Sequence, residues 1–229
     1  NTPAFVQQED FRPISFALFA NCKRWESVAR ILSAIDKRNP LHIFGQCANT
    51  AFDTCFELRR QHTNVWCHEG ADVSRYFSSQ DRSIFELMFG FYPYVAFVED
   101  DLVAPNRLVE YLELSRKLME MDETILCAYV QSDEGMNNTA SYHISRQAVS
   151  NAEGWMSSVS VYKRFIRHQI GPFGSIGNDF ISRIVNQSNI NESTYGKCRF
   201  ACVGLKATQN QQSYFRPISR IQTFENMDC

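Results

Sequence analysis

Apolar positions along this chain fall into short runs and helical stripes that alternate. Ile14 to Ala20 (ISFALFA) is a mostly apolar run of strand length. Residues 24–38 (RWESVARILSAIDKR) then set Val28, Ile31, Leu32 and Ile35 at helical spacing, giving an amphipathic helix that Pro40 stops. Leu41 to Phe44 (LHIF) begins a second strand. A strand, a helix and a strand over about 30 residues predict a parallel β-α-β unit. Cys47 to Gln80 is polar with scattered aromatics and reads as irregular loops with a helix near Phe52–His62. Arg82 to Gly90 reads as a helix and Tyr94 to Val98 (YVAFV) as a buried strand. Residues 106–121 follow the helix-favouring Pro105 as an amphipathic helix, and Ile125 to Val130 (ILCAYV) is the next strand. The rest mixes shorter segments, with a strand flanked by Cys198 and Cys202 and a flexible stretch over Gly171–Gly177. Alternating strands and helices predict one α/β domain over 14–229, behind a polar arm at 1–13.

Composition narrows the class. Of 229 residues 44% are hydrophobic, close to the globular average, so disorder and fibrous repeats are excluded. With 23 basic and 25 acidic residues the chain has no electrostatic footprint for nucleic acid. It contains no run of ~18 apolar residues, so this chain is expected to have no membrane span. Its polar opening from Asn1 implies that a signal peptide or anchor was removed or never present. The eight cysteines leave three readings open: disulfides, buried free thiols, or a zinc site drawn from Cys55, His62, Cys67 and His68. The last lacks any Cys-x-x-Cys pair. Sequons at Asn137, Asn186 and Asn191 lean, with the cysteines, towards a lumenal or secreted protein.

Glu99-Asp100-Asp101 is the most informative cluster. Three carboxylates follow five apolar residues, which puts negative charge at the carboxyl end of a buried strand, where open α/β sheets bind ligands. Adjacent carboxylates repel, and a hard divalent cation such as Mn²⁺ or Mg²⁺ would relieve them and bridge a diphosphate. The competing reading is an acidic turn that favours the dipole of the next helix.

The segment VEDDLVAPNRLVEYLELSRKLMEMDETILCAYVQSDEG (98–135) resembles the β-1,2-N-acetylglucosaminyltransferase I family, which includes the protein O-mannose enzyme of that type. Glu99-Asp100-Asp101-Leu102 is similar to the family's strand-end motif, Leu118 and Asp122 to its turn, and Asp133-Glu134-Gly135 to its next strand end. Glu153-Gly154-Trp155-Met156 is similar to a Leu-Gly-Trp-Met block, and Gly177 to Arg183 to a Trp-Asp-Asp-Trp-x-Arg segment. These blocks keep their order over about residues 82–210.

The resemblance implies a GT-A fold, with a nucleotide-sugar-binding half (14–101) and an acceptor-binding half (102–229) around one continuous sheet. It implies inverting, metal-dependent transfer of a sugar such as N-acetylglucosamine to a glycan or glycoprotein acceptor. On that model Asp101 is the direct Mn²⁺ (or Mg²⁺) ligand, and Glu99 and Asp100 contact sugar and ribose hydroxyls. Asp179 is the catalytic base, Arg24 a donor contact, and Trp155 a stacking platform for sugar. Golgi residence, as the lumenal part of a type II membrane protein whose anchor is outside this chain, follows from the same resemblance.

The chain departs from the family at Phe44-Gly45-Gln46-Cys47, where a uracil-reading aspartate has no counterpart, and at Asn178 and Phe180, which replace tryptophans. An inactive GT-A-fold domain that binds a glycan or protein is therefore the alternative. A UDP-sugar is the expected donor. A GDP-sugar is the other candidate, because FALFANC and LHIFGQC look like the opening strands of α-1,3-fucosyltransferases.

Overall fold

The computed structural model describes residues 13–21, 25–46, 57–60, 64–69, 81–100, 108–130, 142–147, 154–168, 181, 184–185 and 200–207. Its strands are β1 (Ser15–Asn21), β2 (Leu41–Gln46), β3 (Val65–Glu69), β4 (Tyr94–Glu99), β5 (Ile125–Tyr129), β6 (Tyr142–Gln147), β7 (Gly154–Ser158) and β8 (Ala201–Ala207). The helices are α1 (Trp25–Ala34), α2 (Asp81–Phe91), α3 (Leu108–Met121) and α4 (Val159–Val161), which runs on as a π-helical turn over Tyr162–Ile166.

All eight strands join one sheet in the order β3-β2-β1-β4-β7-β5-β8-β6. The β1-α1-β2 unit is parallel, as its sequence predicts, and β3 and β4 extend it in parallel on either side. β7 then runs antiparallel to both of its neighbours, β4 and β5. Beyond it β5 and β8 pair in parallel, and β6 closes the edge antiparallel to β8. This is the mixed α/β sheet expected of a GT-A fold: a parallel half and a mixed half, continuous through β4 and β7.

Alternation along the strands sorts the core into two layers. Phe16, Leu18 and Ala20 of β1, with Ala96 and Val98 of β4, meet Val28, Ile31 and Leu32 of α1 and Leu108, Tyr111 and Leu112 of α3. Ala17, Val95 and Phe97 point the other way, against Phe85, Met88 and Phe89 of α2, Val161 of α4, and Tyr162 and Ile166 of the π-helical turn. β5 and β7 are buried along their whole length, as strands covered on both faces must be. Tyr111 locks α3 to the sheet: its hydroxyl donates to the Tyr129 carbonyl at 2.8 Å, with the Val203 carbonyl at 3.3 Å. α1 ends at a turn in which the Asn39 amide donates to the Asp36 carbonyl, and Pro40 then starts the chain into β2.

Two features differ from the sequence reading. The segment read as loops contains β3, whose Val65 packs in the α1 layer while Trp66 and His68 lie on the opposite face. Its alternation is hidden because an edge strand of five residues carries histidine and tryptophan where a longer strand shows aliphatics. Cys202 does not flank a strand but lies inside β8, bonded to Cys127 of β5. Cys67 is disulfide-bonded too, so no described cysteine is free.

Candidate functional site at the carboxyl end of the sheet

The parallel strands β1, β2, β3, β4 and β5 all deliver their carboxyl ends to one edge. β7, being antiparallel, contributes its first residue there, Gly154, opposite Val98. Glu99 is the last residue of β4 and is half-buried, and Asp100 forms the turn beyond it at only 6% exposure. The cause is local: five buried residues, Tyr94 to Val98, hold the strand inside the sheet until the carboxylates begin. β4 is also the strand at which the parallel half meets antiparallel β7, so its end opens on a break in sheet direction, the kind of place where α/β sheets take ligands.

Of the residues singled out from sequence, Glu99, Asp100 and Trp155 lie among the described ones, whereas Arg24, Asp101 and Asp179 lie outside them, as do the three sequons and the Gly171–Gly177 stretch. Glu99 and Trp155 share one face of the sheet. Trp155 stands opposite Phe97, two residues before Glu99, and the two rings are 4.6 Å apart. The indole is 9% exposed and also stacks on Phe85 at 6.0 Å, so it is built into the α2 layer of the core. Gly154 has a plain steric reason. A Cβ there would sit 3.0 Å from the Phe97 carbonyl oxygen and 3.2 Å from the Val130 Cβ, while its own carbonyl accepts the Val130 amide at 2.9 Å.

The register also assembles residues that sequence reasoning missed. Glu99 pairs with Phe19 of β1, Phe19 with Phe44 of β2, and Phe44 with His68 of β3. All four lie on the α2 face, in one row across the sheet beside its carboxyl end. Phe44 stacks on His68 at 4.4 Å and meets Phe19 at 5.7 Å. One row back, His42 bonds through Nδ1 to His68 Nε2 at 2.9 Å and through Nε2 to the Tyr92 hydroxyl at 2.8 Å. Burial, together with the neighbouring His68 ring, lowers His42 to about 4, and burial lowers His68 as well. Both imidazoles are neutral at pH 7. No local motif announces this row, because it exists only once four separate strands are in register.

Among the described residues no three metal-ligating side chains come together. Glu99 and Asp100 are consecutive carboxylates, the hard oxygen type of donor that Mn²⁺ or Mg²⁺ takes.

No protein-family model and no curated protein matches the chain. The solved structures similar to it include a glycosyltransferase and a protein crystallised with a nucleotide sugar. The apo form of the glycosyltransferase GlyE in Streptococcus pneumoniae TIGR4 covers 80% of this chain and 39% of its own, at 11% identity and a TM-score of 0.40. S. aureus TarS 1-349 covers 66% of this chain and 48% of its own, at 10% identity and a TM-score of 0.46. Its complex with UDP-GlcNAc gives 11% identity, 66% and 47% coverage, and a TM-score of 0.42. The chain thus spans less than half the length of these matches.

Proposed function

We propose that this chain is a GT-A-type glycosyltransferase domain that takes a sugar from a nucleotide-sugar donor, a UDP-sugar in the first instance, to a glycan or glycoprotein acceptor. The observation that carries the reading is the Glu99–Asp100 carboxylate pair at the end of β4, where the parallel half of the sheet meets β7. Its support from sequence is the order of motif blocks around it.

Asp101, the next residue, would hold a divalent ion with its neighbours, and a bound Mn²⁺ or Mg²⁺ supplies charge neutralisation to the departing diphosphate. Glu99 and Asp100 then orient donor hydroxyls by accepting hydrogen bonds from them. Asp179 removes the proton from the acceptor hydroxyl as that oxygen attacks the anomeric carbon from the face opposite the diphosphate, which inverts the configuration. Arg24 pairs with the donor's phosphates. Trp155 backs the Glu99 face through Phe97 and, at 9% exposure, leaves little of its ring for a sugar to stack on. The disulfides at Cys127–Cys202 and Cys67 favour an oxidising compartment such as the Golgi lumen.

A second reading, a GT-A-fold module that binds without transferring, is favoured by Gly45-Gln46-Cys47 at the end of β2, where no aspartate is present to read a uracil. A thermal-shift screen of UDP- and GDP-sugars, each with and without Mn²⁺, separates the two. A ligand at ~100 times its dissociation constant stabilises the fold by about 2.7 kcal/mol. A metal-dependent shift with one nucleotide is expected, and a flat response to all of them from folded protein would make the module reading the better one.

A further inference from the structure

A second aromatic surface lies on the same face of the sheet, at its outermost described strand, β3. Among the described residues the large apolar side chains most exposed are Trp66 (39%), Phe91 (75%) and Met121 (65%). Two of these three are joined through the His42 cluster. The Trp66 indole stacks on the His42 ring at 4.9 Å, His42 meets the Tyr92 ring edge-on at 5.3 Å, and Tyr92 lies 6.4 Å from the Phe91 ring.

Three properties specify what fits this surface. First, β3 is the outermost described strand, so the indole has its inner face on His42 and its outer face at the side of the sheet. Second, donors and acceptors remain beside the ring. The Trp66 indole N–H makes no hydrogen bond among the described residues. His68, two residues along the same strand face, bonds among the described residues through Nε2 and not through Nδ1. Third, among the described residues none of the patch's ring or hydrogen-bond contacts involves a carboxylate, a guanidinium or an ammonium group. An exposed indole face bordered by uncharged donors and acceptors matches a pyranose ring, whose C–H face packs on the aromatic while its hydroxyls exchange hydrogen bonds. A charged peptide or phosphate would find no counter-ion among these ring contacts, and an apolar helix would bury the unused indole N–H without a partner.

We propose that Trp66 and His68 form a binding site for a neutral glycan on the outer edge of β3. The site is distinct from the Glu99 end of β4, which lies three strands away, about 14 Å at ~4.8 Å per strand. It does not depend on whether the chain transfers sugar. Trp66 supplies the stacking face, His68 Nδ1 and the Tyr92 hydroxyl the flanking polar contacts, and His42 holds the three rings in place.

The test is a titration of the ¹⁵N-labelled chain with N,N′-diacetylchitobiose, with mannobiose and with uridine, observing the indole N–H signals. The chain has three tryptophans, and the Trp66 signal is the one that disappears in Trp66→Phe. A saturable shift of that signal with one disaccharide, with a dissociation constant on the order of 1 mM, is expected. Trp66→Ala should weaken the binding, followed by calorimetry, about tenfold or more. Asp101→Asn, which disables the proposed donor site, should leave the Trp66 shift in place. A Trp66 signal unmoved by either disaccharide, moved by uridine alone, or silenced by Asp101→Asn would overturn the proposal. The wild-type titration decides the matter even if Trp66→Ala fails to fold.

Discussion

Glu99 and His68 stand at the two ends of a single cross-sheet row, on the same face, with the rings of Phe19 and Phe44 between them. The row links the carboxylate end of β4 to the histidine cluster on β3. It gives the candidate site a rigid aromatic floor on one side while leaving Glu99 half-buried at its margin.

The histidine end of this row makes stability depend on pH. His42 has a folded value of about 4 against 6.5 for the free side chain, so between these values the unfolded chain binds more protons. The stability is therefore complete above about pH 6.5 and is lost as the pH falls towards 4, by up to about 1.4 kcal/mol per pH unit. Melting temperatures measured from pH 7.5 to 4.5 should fall in the wild type, and the slope should flatten in His42→Phe. An equal slope in both would assign the acid sensitivity to other groups.

The Cys127–Cys202 bridge closes a loop with a sequence separation of 75 between two strands that are paired in the sheet. Chain-entropy reasoning gives about 4 kcal/mol for a loop of this size. Urea unfolding of a Cys127→Ala/Cys202→Ala variant should show a loss of that order.

Gly154 leaves little room for a side chain. Gly154→Ala presses on the Phe97 carbonyl and Val130, which must give by a few tenths of an ångström within the packed sheet, and should cost about 1–3 kcal/mol. Chemical denaturation measures this directly. An unchanged midpoint would mean that the β4–β7 pair yields more easily than its burial suggests.

For the proposed chemistry, Asp101→Asn should abolish the Mn²⁺-dependent thermal shift with the donor. Asp179→Asn should keep that shift and lose transfer, since a base is needed for reaction but not for donor binding. Full transfer by Asp179→Asn would remove the base assignment.

Much of the architecture is legible in the sequence, for reasons that particular residues make plain. Phe16 to Ala20 and Tyr94 to Val98 read as strands because both faces of the inner sheet are covered, and α1 and α3 read as helices because each buries a single stripe. β3 was not legible, since an edge strand bearing Trp66 and His68 shows little apolar periodicity. The position of β7 was not legible either: nothing in Gly154–Ser158 says that it enters between β4 and β5, which is a matter of long-range pairing. At the candidate site the carboxylates were visible because charge begins abruptly after five apolar residues. The aromatic row was not, because it requires four strands in register, and Trp155 showed its resemblance but not how deeply it packs.

The placing of β7 also bears on how the molecule is made. β4 and β5 follow one another along the chain, yet they become sheet neighbours only through a strand synthesised after both. Until Gly154–Ser158 leaves the ribosome, two apolar strand edges stand open side by side with nothing of their own to close them. A chain stopped anywhere before that point thus carries a β3-β2-β1-β4 half with an open border and a β5 that lacks both of its sheet partners, β7 and β8, and it is exposed to aggregation. This one short strand closes the border of β4 onto β5, and β8 then brings in β6.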